Sequence, residues 1–241
     1  MKILIENEKF IRTEILFGKE NMEKLKNASV IIIGLGGVGS YVCEGLVRAG
    51  IYNFTLVDHD VISESNINRQ IYAYVDNIGK LKVEVAGKRI LKINPDANIK
   101  IINSFVCEDN INQILKLNEN YDYVVDAIDN IKSKISVILA ADKLNLEIIS
   151  CMGMGNKIKP SKIKIDDIYN TRYCPLAKII RQRLRKDNIK KLKVCYSDEQ
   201  PIKINIKKEN VKEKIIGSVS YVPSIAGLMI SAEIINSIIK T

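Results

Sequence analysis

Ser29-Val30-Ile31-Ile32-Ile33-Gly34-Leu35-Gly36-Gly37-Val38-Gly39-Ser40 is a β-branched apolar run that breaks into four glycines within six positions. A run this short, apolar throughout and stopped by glycine, reads as a buried strand over 29–33. Residues 39–49 read as the helix that follows. Gly34, Gly36, Gly37 and Gly39 let the backbone turn tightly and let a phosphate or ribose come close to it. The free N–H groups at the helix start favour an anion. Residues 54–58 form a second strand that ends in Asp58, 19 residues after Gly39. An acid at that point bonds a ribose hydroxyl. The turn therefore predicts a nucleotide site, without separating a dinucleotide from ATP.

The same alternation continues downstream. Residues 80–93 have helical spacing and stop at Asn94-Pro95. Strands are expected at 98–102, 121–126 and 147–151, and helices at 110–117 and 131–144. Strands and helices alternating at this spacing predict a doubly wound, mostly parallel, Rossmann-like α/β sheet. The pattern changes after residue 155. Antiparallel strands are expected at 156–166 and 192–206, a helix at 176–187, and a closing helix at 223–239. The whole of 1–241 reads as one domain, with a nucleotide-binding core (1–155) and a small C-terminal lobe of antiparallel strands and helices (156–241).

Composition narrows the class. The 241 residues are 46% hydrophobic and 27% charged, which is globular rather than disordered. A net charge of +9 points to an anionic partner. Five cysteines form no C-x-x-C pair, so a cysteine zinc site is not supported. The single histidine, His59, excludes catalysis by two histidines; between Asp58 and Asp60 it reads as a solvated loop residue. Charges in the first twelve residues are unlike a secretory signal. No stretch reaches the roughly 18–20 consecutive apolar residues of a membrane span. A cytoplasmic protein without a membrane span is the expectation.

The segment after Asp58 carries the chemistry. Asp60, then Asn66-Ile67-Asn68-Arg69-Gln70, then Lys80 and Lys82 follow in order. A dinucleotide dehydrogenase has no need of an Arg and a Lys beyond its ribose acid. A triphosphate does, because its charge must be met by fixed donors and cations. Asp129-Asn130 follows a later strand. A G-x-G-G-x-G turn, an acid–x–acid pair, N-x-x-R-Q, a downstream Lys and a D-N pair together resemble the ThiF/MoeB-like, ubiquitin-activating superfamily. Arg12-Thr13-Glu14, Cys174-Pro175-Leu176-Ala177, Val194-Cys195-Tyr196-Ser197 and Gly217-Ser218 make the ensemble similar to the tRNA threonylcarbamoyladenosine dehydratase family, across residues 9–239.

That resemblance implies ATP-dependent cyclisation of threonylcarbamoyladenosine in tRNA, through an activated carboxylate such as an acyl-adenylate. It implies ATP and Mg²⁺ as cofactors. Gly34, Gly36, Gly37, Gly39, Asp58, Asp60, Asn66, Arg69, Gln70, Lys82, Asp129 and Asn130 would bind the nucleotide. Arg69, Lys82, Asp129 and Arg12 would act in catalysis, with Asp129 handling the metal and Arg12 reaching over from the partner subunit of a homodimer. A sulfur-relay protein is a further candidate partner. Against these roles, Asn66 and Arg69 also read as a capped turn with a surface cation, and Lys82 as one charge on an exposed basic helix. Cys174, in an expected mobile loop beside Arg172 and Lys178, would be placed for a thiolate. Substrate self-cyclisation needs no such nucleophile.

Charge is distributed very unevenly. Residues 172–193 hold nine cations against Asp187 alone, so eight of the nine net positive charges lie in this stretch. Leu176, Ile179, Ile180 and Leu184 would face inward, leaving Arg172, Lys178, Arg181, Arg183, Arg185 and Lys186 to meet tRNA phosphates. Two other classes fit parts of the pattern. An activator of a small sulfur-carrier or ubiquitin-like protein would need a groove for an extended tail. A non-enzymatic NAD-binding redox module would leave Arg69 and Lys82 without a role.

Overall fold

The computed structural model describes residues 8–117, 121–203 and 216–240. Two helices not foreseen in the sequence come first, α1 (Ile11–Phe17) and α2 (Lys19–Asn27). Then follow β1 (Ser29–Ile33), α3 (Gly39–Ala49), β2 (Asn53–Asp58), α4 (Lys82–Ile93) and β3 (Asn98–Asn103). The second half is α5 (Glu108–Leu115), β4 (Tyr123–Asp126), α6 (Ile131–Lys143), β5 (Ile148–Cys151), β6 (Ile163–Asp167), α7 (Pro175–Lys186), β7 (Lys193–Ser197) and α8 (Tyr221–Lys240). One seven-stranded sheet runs in the order β3-β2-β1-β4-β5-β7-β6. Every pair is parallel except β6–β7.

Side-chain alternation on β1 builds both layers. Val30 and Ile32 pack with Leu46, Leu56 and Ile90 on the side of α3, α4 and α8. Ile31 and Ile33 pack with Val57, Ile111, Val124 and Val137 on the side of α5 and α6. Strand order reverses between β1 and β4, where Ile33 and Asp126 lie side by side. Ligands of open α/β sheets bind at such a switch point, beyond the carboxyl ends of the strands.

The C-terminal strands do not stand apart as the sequence pattern suggests. β7 pairs in parallel with β5, from Ile149↔Lys193 to Cys151↔Cys195, and β6 adds antiparallel at the edge. Val194, Cys195 and Tyr196 are buried one after another, which suits an interior strand covered on both faces. Both strands are shorter than expected, and residues 204–206 of the second lie outside the described residues. Among the described residues one helix, α8, is long and apolar enough to cross a membrane by length and composition. Its Val222, Ala226, Ile230 and Ile234 are instead buried in the core beside α3.

Candidate active site

The glycine turn leaves β1 at the switch point. Gly34 has φ +92°, and a Cβ there would sit 2.7 Å from the Ala127 carbonyl oxygen. A Cβ on Gly39 would lie 1.8 Å from the Gly34 carbonyl oxygen. These two glycines are demanded by the way the turn packs on itself and on the β4 loop. Gly37 is backed by Pro223 and the Arg69 stem. Gly36 faces only Gln70 Nε2, at 3.8 Å, so it is the position open to a ligand. Gly39→Ala should cost about 3 kcal/mol or more of stability, since backbone must move to admit a methyl. Gly36→Ala should change the melting temperature little and weaken ATP binding. Thermal melts with and without ATP check both outcomes.

Asp58 organises the turn. Its Oδ2 accepts the Leu35 N–H at 2.6 Å and its Oδ1 accepts the Asp60 N–H at 2.9 Å. A carboxylate has about four lone-pair sites, so it retains acceptor capacity for ribose hydroxyls. Asp60 pairs with Lys82, whose Nζ lies 2.6 Å from Oδ2. Lys82 is only 5% exposed, so it is not one charge on a solvated helix face. An antiparallel bridge between Val61 and Leu81 and the Lys82 N–H to Asp60 carbonyl bond hold the pair in place. His59 Nε2 lies 3.2 Å from Asp60 Oδ1, and its ring meets Phe105 edge-on.

The N-x-x-R-Q segment is partly a capped turn. Asn66 Oδ1 accepts the Ser63 N–H, closing a reciprocal cap. Arg69 donates through Nη1 to the Ser65 carbonyl and to Asn68 Oδ1, fixing its stem. Its other guanidinium nitrogens make no hydrogen bond among the described residues. Gln70 is buried, and its Oε1 has no partner there. The amide nitrogen of Gln70, not this oxygen, is the atom that faces Gly36. Asp129 and Asn130 are exposed where the chain leaves β4. Asn130 caps α6 through Ser133 N, and Asp129 has no ion-pair partner among the described residues. Arg12 is exposed on α1. The start of that helix is anchored at the amino ends of the strands, by Lys9–Asp96 and Phe10 against Tyr52. Among the described residues, nothing within one chain brings Arg12 to the cleft.

Two buried lysines escape sequence reasoning. Lys134 is wholly buried on α6 and bonded to Asp126 at the end of β4. An acid closing an otherwise apolar strand was the available signal, since it requires a buried cation. Lys157 is 2% exposed and donates to the Ser197 carbonyl. Burial pushes its ammonium below the usual lysine range. Nothing in its basic, loop-like surroundings announces this.

The cysteines are not presented as nucleophiles. Cys174 sits at the start of α7 and is only 5% exposed, packed with Ile168, Ala177 and Tyr196 rather than in a solvated loop. Cys43 is core, its thiol pushed up to about 12 by burial. A hydrogen bond with Cys151, together with burial, raises Cys195 well above the ordinary thiol range.

On α7 the inward face is Ala177, Ile180 and Leu184, while Ile179 is exposed. Arg172, Lys178, Arg183, Arg185 and Lys186 are exposed. Arg183 pairs with Asp187, and Arg185 lies over the Tyr169 ring. Arg181 departs from its expected role. Its Nη1 donates to the carbonyls of Ile168 and Thr171 and to Thr171 Oγ1, because the short turn at 168–170 ends with carbonyls needing donors.

A glycine turn at the switch point, with its backbone held by the acid that ends the neighbouring strand, is the arrangement of a nucleotide-binding α/β domain. The chain belongs to the ThiF family, whose profile matches residues 11–241. It is similar to the tRNA threonylcarbamoyladenosine dehydratase of Bacillus subtilis (strain 168), with 38% identity over 96% of this chain and 94% of that protein. The Escherichia coli (strain K12) dehydratase is 36% identical over 75% of this chain and 66% of that one. The crystal structure of the E. coli dehydratase in complex with ATP superposes with a TM-score of 0.89 and 29% identity, covering 99% of this chain and 98% of that chain.

Proposed function

We infer that this protein is an ATP-dependent tRNA threonylcarbamoyladenosine dehydratase. The observation that carries the reading is the end-to-end similarity to the B. subtilis dehydratase, joined to a cleft whose free donors and acid suit a triphosphate. The chemical problem is a carboxylate that will not react with an internal nucleophile, because its oxygen leaves poorly. A carboxylate oxygen of the substrate attacks the α-phosphorus of ATP, and pyrophosphate departs. The ureido group of the substrate then bonds to the carboxyl carbon and releases an N–H proton to solvent, and AMP leaves with that oxygen. The net change in the nucleoside is loss of one water.

Asp58 holds the ribose, and the open face at Gly36 takes the phosphate chain. Arg69 and Lys82 meet the charge that develops at the α-phosphorus. Asp129, exposed and without an ion-pair partner among the described residues, would hold Mg²⁺, which would supply further positive charge against the triphosphate. Arg12 joins from the second subunit of a homodimer. The exposed cations of α7 bind the tRNA backbone.

Two measurements test the reading. Mass spectrometry of tRNA nucleosides after incubation with protein and ATP should show threonylcarbamoyladenosine reduced by one water. Unchanged tRNA, with adenylation of a carrier protein's carboxyl tail instead, would overturn it. Separately, ATP with Mg²⁺ should raise the melting temperature and NAD should not. Ligand at about 100 times its dissociation constant adds roughly 2.7 kcal/mol. Equal stabilisation by NAD would favour a redox module.

A further inference from the structure

Asp126, at the end of β4, and Lys134, one turn into α6, bracket the loop that carries Asp129. Both side chains are 0% exposed. Lys134 Nζ lies 2.7 Å from Asp126 Oδ2, 3.2 Å from Ser150 Oγ and 2.9 Å from the Cys151 carbonyl oxygen. Its three N–H donors thus have three acceptors. Ser150 in turn donates to Asp126 Oδ2 at 2.5 Å. The other carboxylate oxygen, Oδ1, accepts the Ile128 N–H at 3.2 Å, one residue before Asp129. The Ala127 N–H donates to the Ile33 carbonyl, and Ala127 abuts Gly34, so the same loop packs on the glycine turn.

Removing two charges from water is costly, and apolar residues of similar volume often stabilise such a site equally well. A fully satisfied buried network fixes geometry more firmly than apolar packing does. We propose that Lys134, with Asp126 and Ser150, is a positioning device that sets the loop between β4 and α6 so that Asp129 meets the nucleotide and its metal. The ammonium ties the loop's two ends to each other and to β5, while Asp126 reaches forward to accept the Ile128 N–H. The inference rests on the adenylating cleft proposed above. It adds that the reacting geometry is held by a group that touches neither ATP nor tRNA.

A double-mutant cycle tests it. The paired variant Asp126→Asn/Lys134→Met removes both charges together and leaves an amide oxygen for the Ile128 N–H. Ser150→Ala is the milder companion, retaining the ion pair should the paired variant fail to fold. The measurements are single-turnover cyclisation and the dissociation constant for ATP with Mg²⁺, with melting temperature as the folding control. The paired variant should lose about 10–100-fold in rate, as for displaced ligand carboxylates and misplaced reacting groups. The dissociation constant for tRNA should change by less than about threefold, because Asp126, Lys134 and Ser150 are wholly buried and none of them is among the exposed cations of α7. In an Asp129→Ala background the same change should cost less than about twofold, since the group it acts through is gone. Additive losses would overturn the proposal and leave the network as scaffold. So would an Asp129→Ala protein that binds ATP and reacts like wild type. If wild type fails to cyclise the tRNA nucleoside, the substrate reading fails by itself. The cycle is then read on ATP affinity, where the same non-additivity is required.

Discussion

Asp129→Ala and Arg69→Ala should each lose on the order of 10²-fold or more in the rate of ring closure, the usual loss when one preorganised transition-state interaction is removed. Such a loss corresponds to about 2.7 kcal/mol of barrier. Cys174→Ala should keep most of its activity. Asp129 is exposed at the mouth of the switch point with no competing cation among the described residues, so its carboxylate is free to act on a bound group. Arg69 is held by its Nη1 bonds to Ser65 and Asn68, and its other guanidinium nitrogens, which make no hydrogen bond among the described residues, are the donors proposed to meet the ligand. Cys174 is buried against the α7 core, and in the proposed reaction the attacking group belongs to the substrate. Its replacement costs packing, about 1 kcal/mol, which a melt would register separately. Single-turnover assays on threonylcarbamoyl-modified tRNA supply the comparison. A folded Cys174→Ala protein as inactive as Asp129→Ala would require a covalent enzyme intermediate in place of direct cyclisation.

What the sequence made legible follows from which interactions are local. The strand–glycine–helix unit at 29–49 and the strands through 151 are visible because each is a short apolar run bounded by turn residues. The position of β7 is not, because pairing with β5 is a long-range choice that strand pattern alone cannot make. The helices before β1 lack a strong apolar stripe: α1 has no buried residue and α2 buries only Leu25. Around the glycine turn, residue types at fixed spacing singled out Asp58, Lys82 and Arg69 as candidates. Their partners did not show, because Asp60 and Lys82 are 22 residues apart and meet only through the Val61–Leu81 bridge. Lys134 looks like its neighbours Lys132 and Lys143 in sequence. Only the fold separates a wholly buried ammonium from two helix-surface lysines. Arg181 shows the same ambiguity in reverse, a cation in a basic run that the fold turns inward.

Reversing Lys178, Arg185 and Lys186 together to Glu should weaken tRNA binding strongly while leaving ATP-induced stabilisation nearly unchanged. These three are exposed on α7, and they belong to the stretch that holds eight of the nine net positive charges. The cations proposed for the nucleotide cleft, Arg69 and Lys82, lie outside that stretch. Every phosphate that is no longer neutralised should flatten the plot of log affinity against log salt by roughly 0.7–0.9. If the three residues neutralise two or three phosphates, the slope should fall by about 1.4–2.7. Charge reversal adds repulsion, so the affinity loss at low salt should exceed what removing the cations alone would produce. Arg181→Met is the informative control. Its guanidinium serves the Ile168 and Thr171 carbonyls, so its loss should lower the melting temperature and leave the salt slope nearly intact. Affinity of each protein for tRNA at several salt concentrations, with ATP-dependent melts in parallel, separates the two behaviours. An unchanged slope in the triple variant would make α7 a solvated face and send the tRNA to another surface of the molecule. A slope change in Arg181→Met as large as in the triple variant would mean that this guanidinium leaves its carbonyls to meet phosphate when tRNA binds.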